Sequence, residues 1–159
     1  MPAKRLQEFL DSHNVKYVTI SHSMAFTAID IAKSAHVPTK EMAKIVVIKL
    51  AGGYGMVVLP ASYRVDLEIL KEAFKTEDVE LAGENEFSRL FPDCEVGAMP
   101  PFGNLYDMDV YLAEPLTENE DIAFNAGSHS ETVKMAYSDF ERLVKPKLVV
   151  LTGLASHHW

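Results

Sequence analysis

The chain has 159 residues, 48% hydrophobic and 24% charged, a composition that suits one domain with a substantial core. Its net charge of −8 excludes the broad basic face of a DNA- or RNA-coating protein, but leaves room for a local pocket that grips one end of an RNA. A single cysteine, Cys94, excludes an internal disulfide, and the opening MPAKRLQEFL carries no long apolar run, so a cytoplasmic location without a signal peptide or membrane span is expected.

In chain order, Pro2 to Ser12 is predicted to be a helix, with Pro2 in the first turn and Leu6, Phe9 and Leu10 on one face. VKYVTI reads as a strand. TAIDIAKSAHV reads as a helix capped by Thr27, with Asp30 three residues on, running to about His36 before Pro38 stops it. AKIVVIKL and MVVLP, joined by the glycine-rich AGGYG, form a hairpin. DLEILKEAF is a helix capped by Asp66, and ENEFSRLF a shorter one.

CEVGAMPPFGN interrupts this pattern. Pro100 and Pro101 lack the N–H groups that a helix interior or a central strand needs, so Cys94 to Asn104 is a stiff, shaped loop. It carries apolar Ala98, Met99 and Phe102 where a solvent turn would carry Asn, Asp or Ser. YDMDVYL, DIAFNAG and ETVKMAY follow as strands. SDFERLVKP has Ser138 and Glu141 at capping-box spacing and ends at Pro146, and KLVVL is a last, buried strand. His157 and His158 belong to a tail with no partner at metal spacing. Without repeats or a linker, the interleaved elements give an α+β class in one unit, residues 1–159.

Candidate chemistry is sparse. A period of two places Lys44 with Val46, Ile48 and Leu50, and Lys49 with Ile45 and Val47, so both faces of this strand are apolar and it is central. Lys44 at its start either faces a pocket, where desolvating an ammonium calls for an anionic or carbonyl-rich partner, or snorkels to water. Lys49 near the turn is a solvated end residue. Cys94 reads as a small hydrophobe rather than a nucleophile. His22 precedes a helix N-terminus, where it is either a structural histidine or part of an anion site. Asn125, Gly127, Ser128 and His129 make a turn that is equally a hairpin and a binding loop. Nucleophile elbows, phosphate-binding glycine loops, zinc-ligand patterns and dinucleotide fingerprints are absent.

HSMAFTAIDIA (His22 to Ala32), EMAKIVVIKL, VVLPASYRVDLEILKEA, VGAMPP and FNAGSH (Phe124 to His129) occur in that order over nearly the whole chain. Together they resemble the YbaK-like aminoacyl-tRNA deacylases, which include the editing insertion of bacterial prolyl-tRNA synthetases and its freestanding relatives. The resemblance implies a mixed, strongly curved, barrel-like sheet with helices packed outside. It also implies a pocket between the lysine strand, a G-x-x-x-P loop at Gly97 to Pro101 and the late glycine turn. Lys44 would be the catalytic residue, steadying negative charge while water attacks, with the ribose hydroxyl of the tRNA as a potential helper.

His22, Phe26, Thr27, Gly97, Ala98, Met99, Pro100, Pro101, Asn125, Gly127, Ser128 and His129 would contact the substrate. No cofactor and no metal are implied. The partner would be the 3′ end of an aminoacyl-tRNA, held transiently, with a synthetase as a second candidate and neither DNA nor membrane expected. The bulk of Ala98-Met99-Pro100 points to a small amino acid, alanine, serine or threonine. The leading expectation is a trans-editing hydrolase; the alternative is a non-catalytic module of the same fold that binds a synthetase or an aminoacyl ligand.

Overall fold

The computed structural model describes residues 3–151 apart from 26, 51 and 96, and the backbone alone at 84, 87 and 88. The predicted helix start at Pro2, the candidate contact Phe26 and the tail with His157 and His158 therefore lie outside the described residues. The chain runs α1 (Lys4–Ser12), β1 (Tyr17–Ser21), α2 (Ala28–Ala35), β2 (Ala43–Leu50), β3 (Gly53–Pro60), α3 (Leu67–Phe74), β4 (Val79–Leu81) and α4 (Glu84–Leu90). It continues with β5 (Asp109–Ala113), β6 (Asp121–Asn125), β7 (Glu131–Ala136), α5 (Tyr137–Val144) and β8 (Lys147–Val149), with short 3-10 helices at Gly103–Leu105 and Glu114–Glu118. No helix among the described residues is long and apolar enough to cross a membrane.

This is the mixed α+β class expected, but not a barrel. Two open sheets form instead, β1-β7-β6 and β4-β2-β3-β5-β8. The first is antiparallel throughout; the second adds parallel β3–β5 and β5–β8 pairs to the antiparallel β2–β3 and β2–β4 pairs. Between the sheets, the parallel bridge Met42–Ala123 lies outside the strand ladders. Closure needs a ladder partner on both edges of every strand. β4 and β8, three residues each, instead end the five-stranded sheet as short edges.

Side-chain alternation on β2 divides the interior. Ala43 and Val47 share a core with Leu6 and Leu10 of α1, Phe124, Val133, Met99, Phe102 and Phe140. On the opposite face Ile48 packs with Val57, Leu59, Leu70 of α3 and Val79. Met42, on that same face by the two-residue period, packs with Ile31, Ala32 and Ala35 of α2, Ala61 and Ala123. The Phe102 ring stands 5.4 Å from Phe124 and 5.5 Å from Phe140, so the apolar part of the diproline loop is spent on the protein's own core. Burying such a side chain contributes roughly 1.5–3 kcal/mol.

The helix caps follow their sequence signals in two cases. Thr27 Oγ1 accepts from the Asp30 N–H at 3.1 Å, and Asp66 Oδ1 from the Ile69 N–H at 2.9 Å. At α5 the predicted capping box does not form. β7 runs straight into the helix, Ala136 takes the cap position, and the Tyr137 N–H donates to the Glu120 carbonyl at 2.8 Å, leaving Ser138 inside the helix. The hairpin turn is tighter than AGGYG suggests, because Leu50 pairs with Gly53 and Gly53 to Gly55 already belong to β3. KLVVL is an edge rather than a buried strand, with Leu148 and Val150 exposed.

Candidate active site

Three segments remote in sequence meet at one end of the β6–β7 hairpin. The turn between those strands is anchored from below, where the Ala3 N–H donates to the Ala126 carbonyl at 2.7 Å. Gly127 there has φ +99°, and a Cβ added to it would stand 2.8 Å from the Ala3 Cβ, so both conformation and space require glycine. The diproline loop clasps the turn from the side. The Glu95 N–H donates to the Gly127 carbonyl at 2.7 Å, and the Gly127 N–H to the Ala98 carbonyl at 2.9 Å. The Ala98 N–H closes a tight turn on the Glu95 carbonyl at 3.0 Å, with Gly97 at φ +84°.

From the third side, the His22 N–H donates to the Ser130 carbonyl at 2.9 Å and the Ala25 N–H to the His129 carbonyl at 3.2 Å. The His129 ring reaches the Gly97 turn: its Cε1 is 3.6 Å from where a Cβ on Gly97 would sit. Gly97 is exposed, whereas Ala98, Met99, Pro100 and Pro101 are buried. Between Gly97 and Pro101, what stands open to a ligand is therefore the main chain at Gly97, and the side chains of Ala98 to Pro101 form packing rather than lining.

Lys44 approaches from the five-stranded sheet. Two residues beyond the bridged pair Met42–Ala123 on each parallel strand stand Lys44 and Asn125, so alternation turns both to the same face as that pair, the face covered by α2. The Lys44 ammonium is half-buried, and desolvation lowers its pKa, with repulsion from Arg64 adding to the effect. It makes no hydrogen bond or ion pair among the described residues. Asn125 Oδ1 is buried without a hydrogen-bond partner.

Thr132, opposite Asn125 on β7 and fully buried, lies on that face too. Its hydroxyl lies 3.0 Å from His22 Nε2, while His22 Nδ1 is 2.8 Å from the Ser23 carbonyl. A carbonyl only accepts, so Nδ1 donates to Ser23, and in the neutral imidazole Nε2 then accepts from Thr132. With both nitrogens committed, His22 braces the wall of the site.

Thr27 caps α2, and the Ser128 hydroxyl donates to Glu131 at 3.3 Å within the turn. Cys94 lies beside Tyr106 and Asp93, and burial pushes its thiol up to about 11, which keeps it protonated and inert. Glu95 and Thr132 are site residues that the sequence reading passed over. A carboxylate directly before a glycine turn is a signal that could have flagged Glu95; Thr132 carries none beyond strand alternation.

The family model for the aminoacyl-tRNA editing domain matches residues 22–143, a span that holds all three clasped segments and Lys44. The chain belongs to the aminoacyl-tRNA editing domain family. Editing of an aminoacyl-tRNA is a deacylation, so the enzyme class is an ester hydrolase of aminoacyl-tRNA. This editing domain is 25% identical over 142 residues to the prolyl-tRNA editing protein ProX of Acetoanaerobium sticklandii, covering 86% of each chain. It is 26% identical over 152 residues to the multifunctional Ser/Thr-tRNA deacylase ProXp-y of Escherichia coli K12, covering 92% of this chain and 90% of that protein. Its fold matches a crystal structure described as a candidate trans-editing enzyme for prolyl-tRNA synthetase, with TM-score 0.78, 20% identity and coverage of 94% and 95%.

Proposed function

We propose that this editing domain acts in trans, as a freestanding hydrolase, on tRNA mischarged with a small amino acid of the alanine, serine or threonine class. The observation that carries this reading is the half-buried Lys44 ammonium, without a partner among the described residues on the face it shares with Asn125. A desolvated cation is costly unless an anionic or carbonyl-rich group meets it, and an aminoacyl ester next to a terminal phosphodiester supplies both.

Lys44 steadies the negative charge that develops on the ester carbonyl oxygen as water attacks. The water oxygen bonds to the carbonyl carbon, the bond from that carbon to the ribose oxygen breaks, and the proton of the water ends on the ribose hydroxyl. Free amino acid and uncharged tRNA leave. Gly97 lets the main chain come close to the ester, and the clasped turn at Gly127 to His129 forms the facing wall. Asn125 offers its carboxamide to the polar groups of the aminoacyl moiety. The Ser/Thr-tRNA activity named for the Escherichia coli relative supports the small-residue class.

The test is release of labelled amino acid from a panel of aminoacyl-tRNAs. Hydrolysis of alanyl-, seryl- or threonyl-tRNA, with larger residues spared, is expected. Binding without turnover on the whole panel would replace the hydrolase with a binding module.

A further inference from the structure

We infer that Glu95 is a positioning residue for the hydrolytic site, a clamp that holds the His129 turn against the Gly97 turn. The inference rests on the proposed site but concerns a residue to which that reading gives no role. Glu95 Oε1 accepts the His129 N–H at 2.6 Å across 34 positions of sequence, a short contact of the charge-assisted kind. The main chain of the same residue donates to the Gly127 carbonyl at 2.7 Å and accepts from the Ala98 N–H at 3.0 Å. One residue thus ties both ends of the glycine turn and the base of its own loop.

Among the described residues, two backbone bonds join the loops, Glu95 to Gly127 and Gly127 to Ala98; they do not depend on the side chain and keep the loops apposed without it. The carboxylate adds the far end of the turn, where the His129 ring approaches Gly97. Residue 95 is exposed, so shortening it opens no cavity. Removing the carboxylate therefore loosens the amide side of His129, whose carbonyl keeps its bond from the Ala25 N–H, and spares the fold; a site wall that drifts by about 1 Å costs on the order of a hundredfold in rate.

The experiment compares Glu95→Ala and Glu95→Gln with the parent in steady-state hydrolysis of alanyl-, seryl- and threonyl-tRNA, alongside amide hydrogen exchange read residue by residue. Glu95→Ala is expected to lower kcat about a hundredfold with little change in KM. It is also expected to speed exchange at the His129 amide while Phe124 and Val133 keep parental protection. Glu95→Gln keeps an acceptor oxygen and recovers kcat to within roughly tenfold of the parent. Glu95→Met, similar in length but without an acceptor, repeats the loss should the alanine variant not fold.

Unchanged His129 exchange in Glu95→Ala overturns the clamp, as does unchanged kcat, or a Glu95→Gln variant as inactive as Glu95→Ala. If the parent releases no amino acid from any of the three tRNAs, the hydrolytic reading fails by itself. The exchange comparison still decides the clamp.

Discussion

Lys44 and Lys49 stand five residues apart on β2, one near each end of the strand, and the fold treats them in opposite ways. Lys49 Nζ is 2.7 Å from Glu86 Oε1, which also accepts from the hydroxyl of Tyr54, the cross-strand neighbour of Lys49, at 2.8 Å; the other carboxylate oxygen takes the Gly83 N–H at 2.7 Å. The hydrogen bond to Glu86 raises the Lys49 pKa. At the other end, burial lowers that of Lys44, and Arg64 lowers it further. A cation satisfied by its own protein has nothing left to give a ligand. One desolvated and left without a carboxylate binds an arriving anion or developing oxyanion strongly, because water competes for it less.

The largest effect that separates the two is catalytic. Lys44→Ala is expected to lower kcat/KM for deacylation by about 10²–10³-fold, the usual cost of removing one preorganised charge-stabilising donor, with an unfolding temperature no lower than the parent's. Lys49→Ala is expected to leave turnover at the parental rate. Equal losses from both variants, measured in the same release assay, would erase the distinction and leave Lys44 as one more strand-end lysine.

A smaller effect lies in the alkaline dependence of stability. The folded-state pKa of Lys44 sits below the unfolded value of 10.5, so the unfolded chain holds that proton more tightly. The resulting penalty is fully present below the folded pKa and fades as pH rises through it toward 10.5. Chemical-denaturation midpoints of the parent should therefore gain on those of Lys44→Met as pH climbs through that window. Parallel curves would mean that the lysine is solvated in the folded state.

How much of this was legible beforehand depended on range in sequence. The caps at Thr27 and Asp66, the hairpin from Ala43 to Pro60 and the central place of β2 follow from signals a few residues long, and all formed. The split into two sheets did not follow, because Met42 meeting Ala123 is a relation across 81 positions with no local trace. β4 escaped notice because three residues show no period. At the site, Lys44 was visible as a charge at the start of an apolar strand. The clamp from Glu95 to His129 and the brace from His22 to Thr132 join residues that only the fold brings together. The diproline loop misled in an instructive way: its apolar side chains mark a segment spent on the core, and what stays open to solvent is Gly97 with Glu95 and Asn104.

The smallest expected effect tests the satisfied lysine. Lys49 first, then the Gly83 N–H and the Tyr54 hydroxyl, hold the Glu86 carboxyl down to about 2 from an ordinary 4.5. A depressed carboxylate contributes stability that is complete above its unfolded pKa. That contribution is lost as pH falls from 4.5 toward 2, where protonation removes the charge that Lys49 and both donors address. Glu86→Gln should start slightly less stable at neutral pH and then lose less than the parent across that acid window, so the two denaturation midpoints converge. Deacylation at neutral pH should be untouched, since no bond of this network, among the described residues, runs to the clasped turns. Acid curves that stay parallel would show that the ion pair at Lys49 is no better than its hydration, and the contrast between the two ends of β2 would then rest on Lys44 alone.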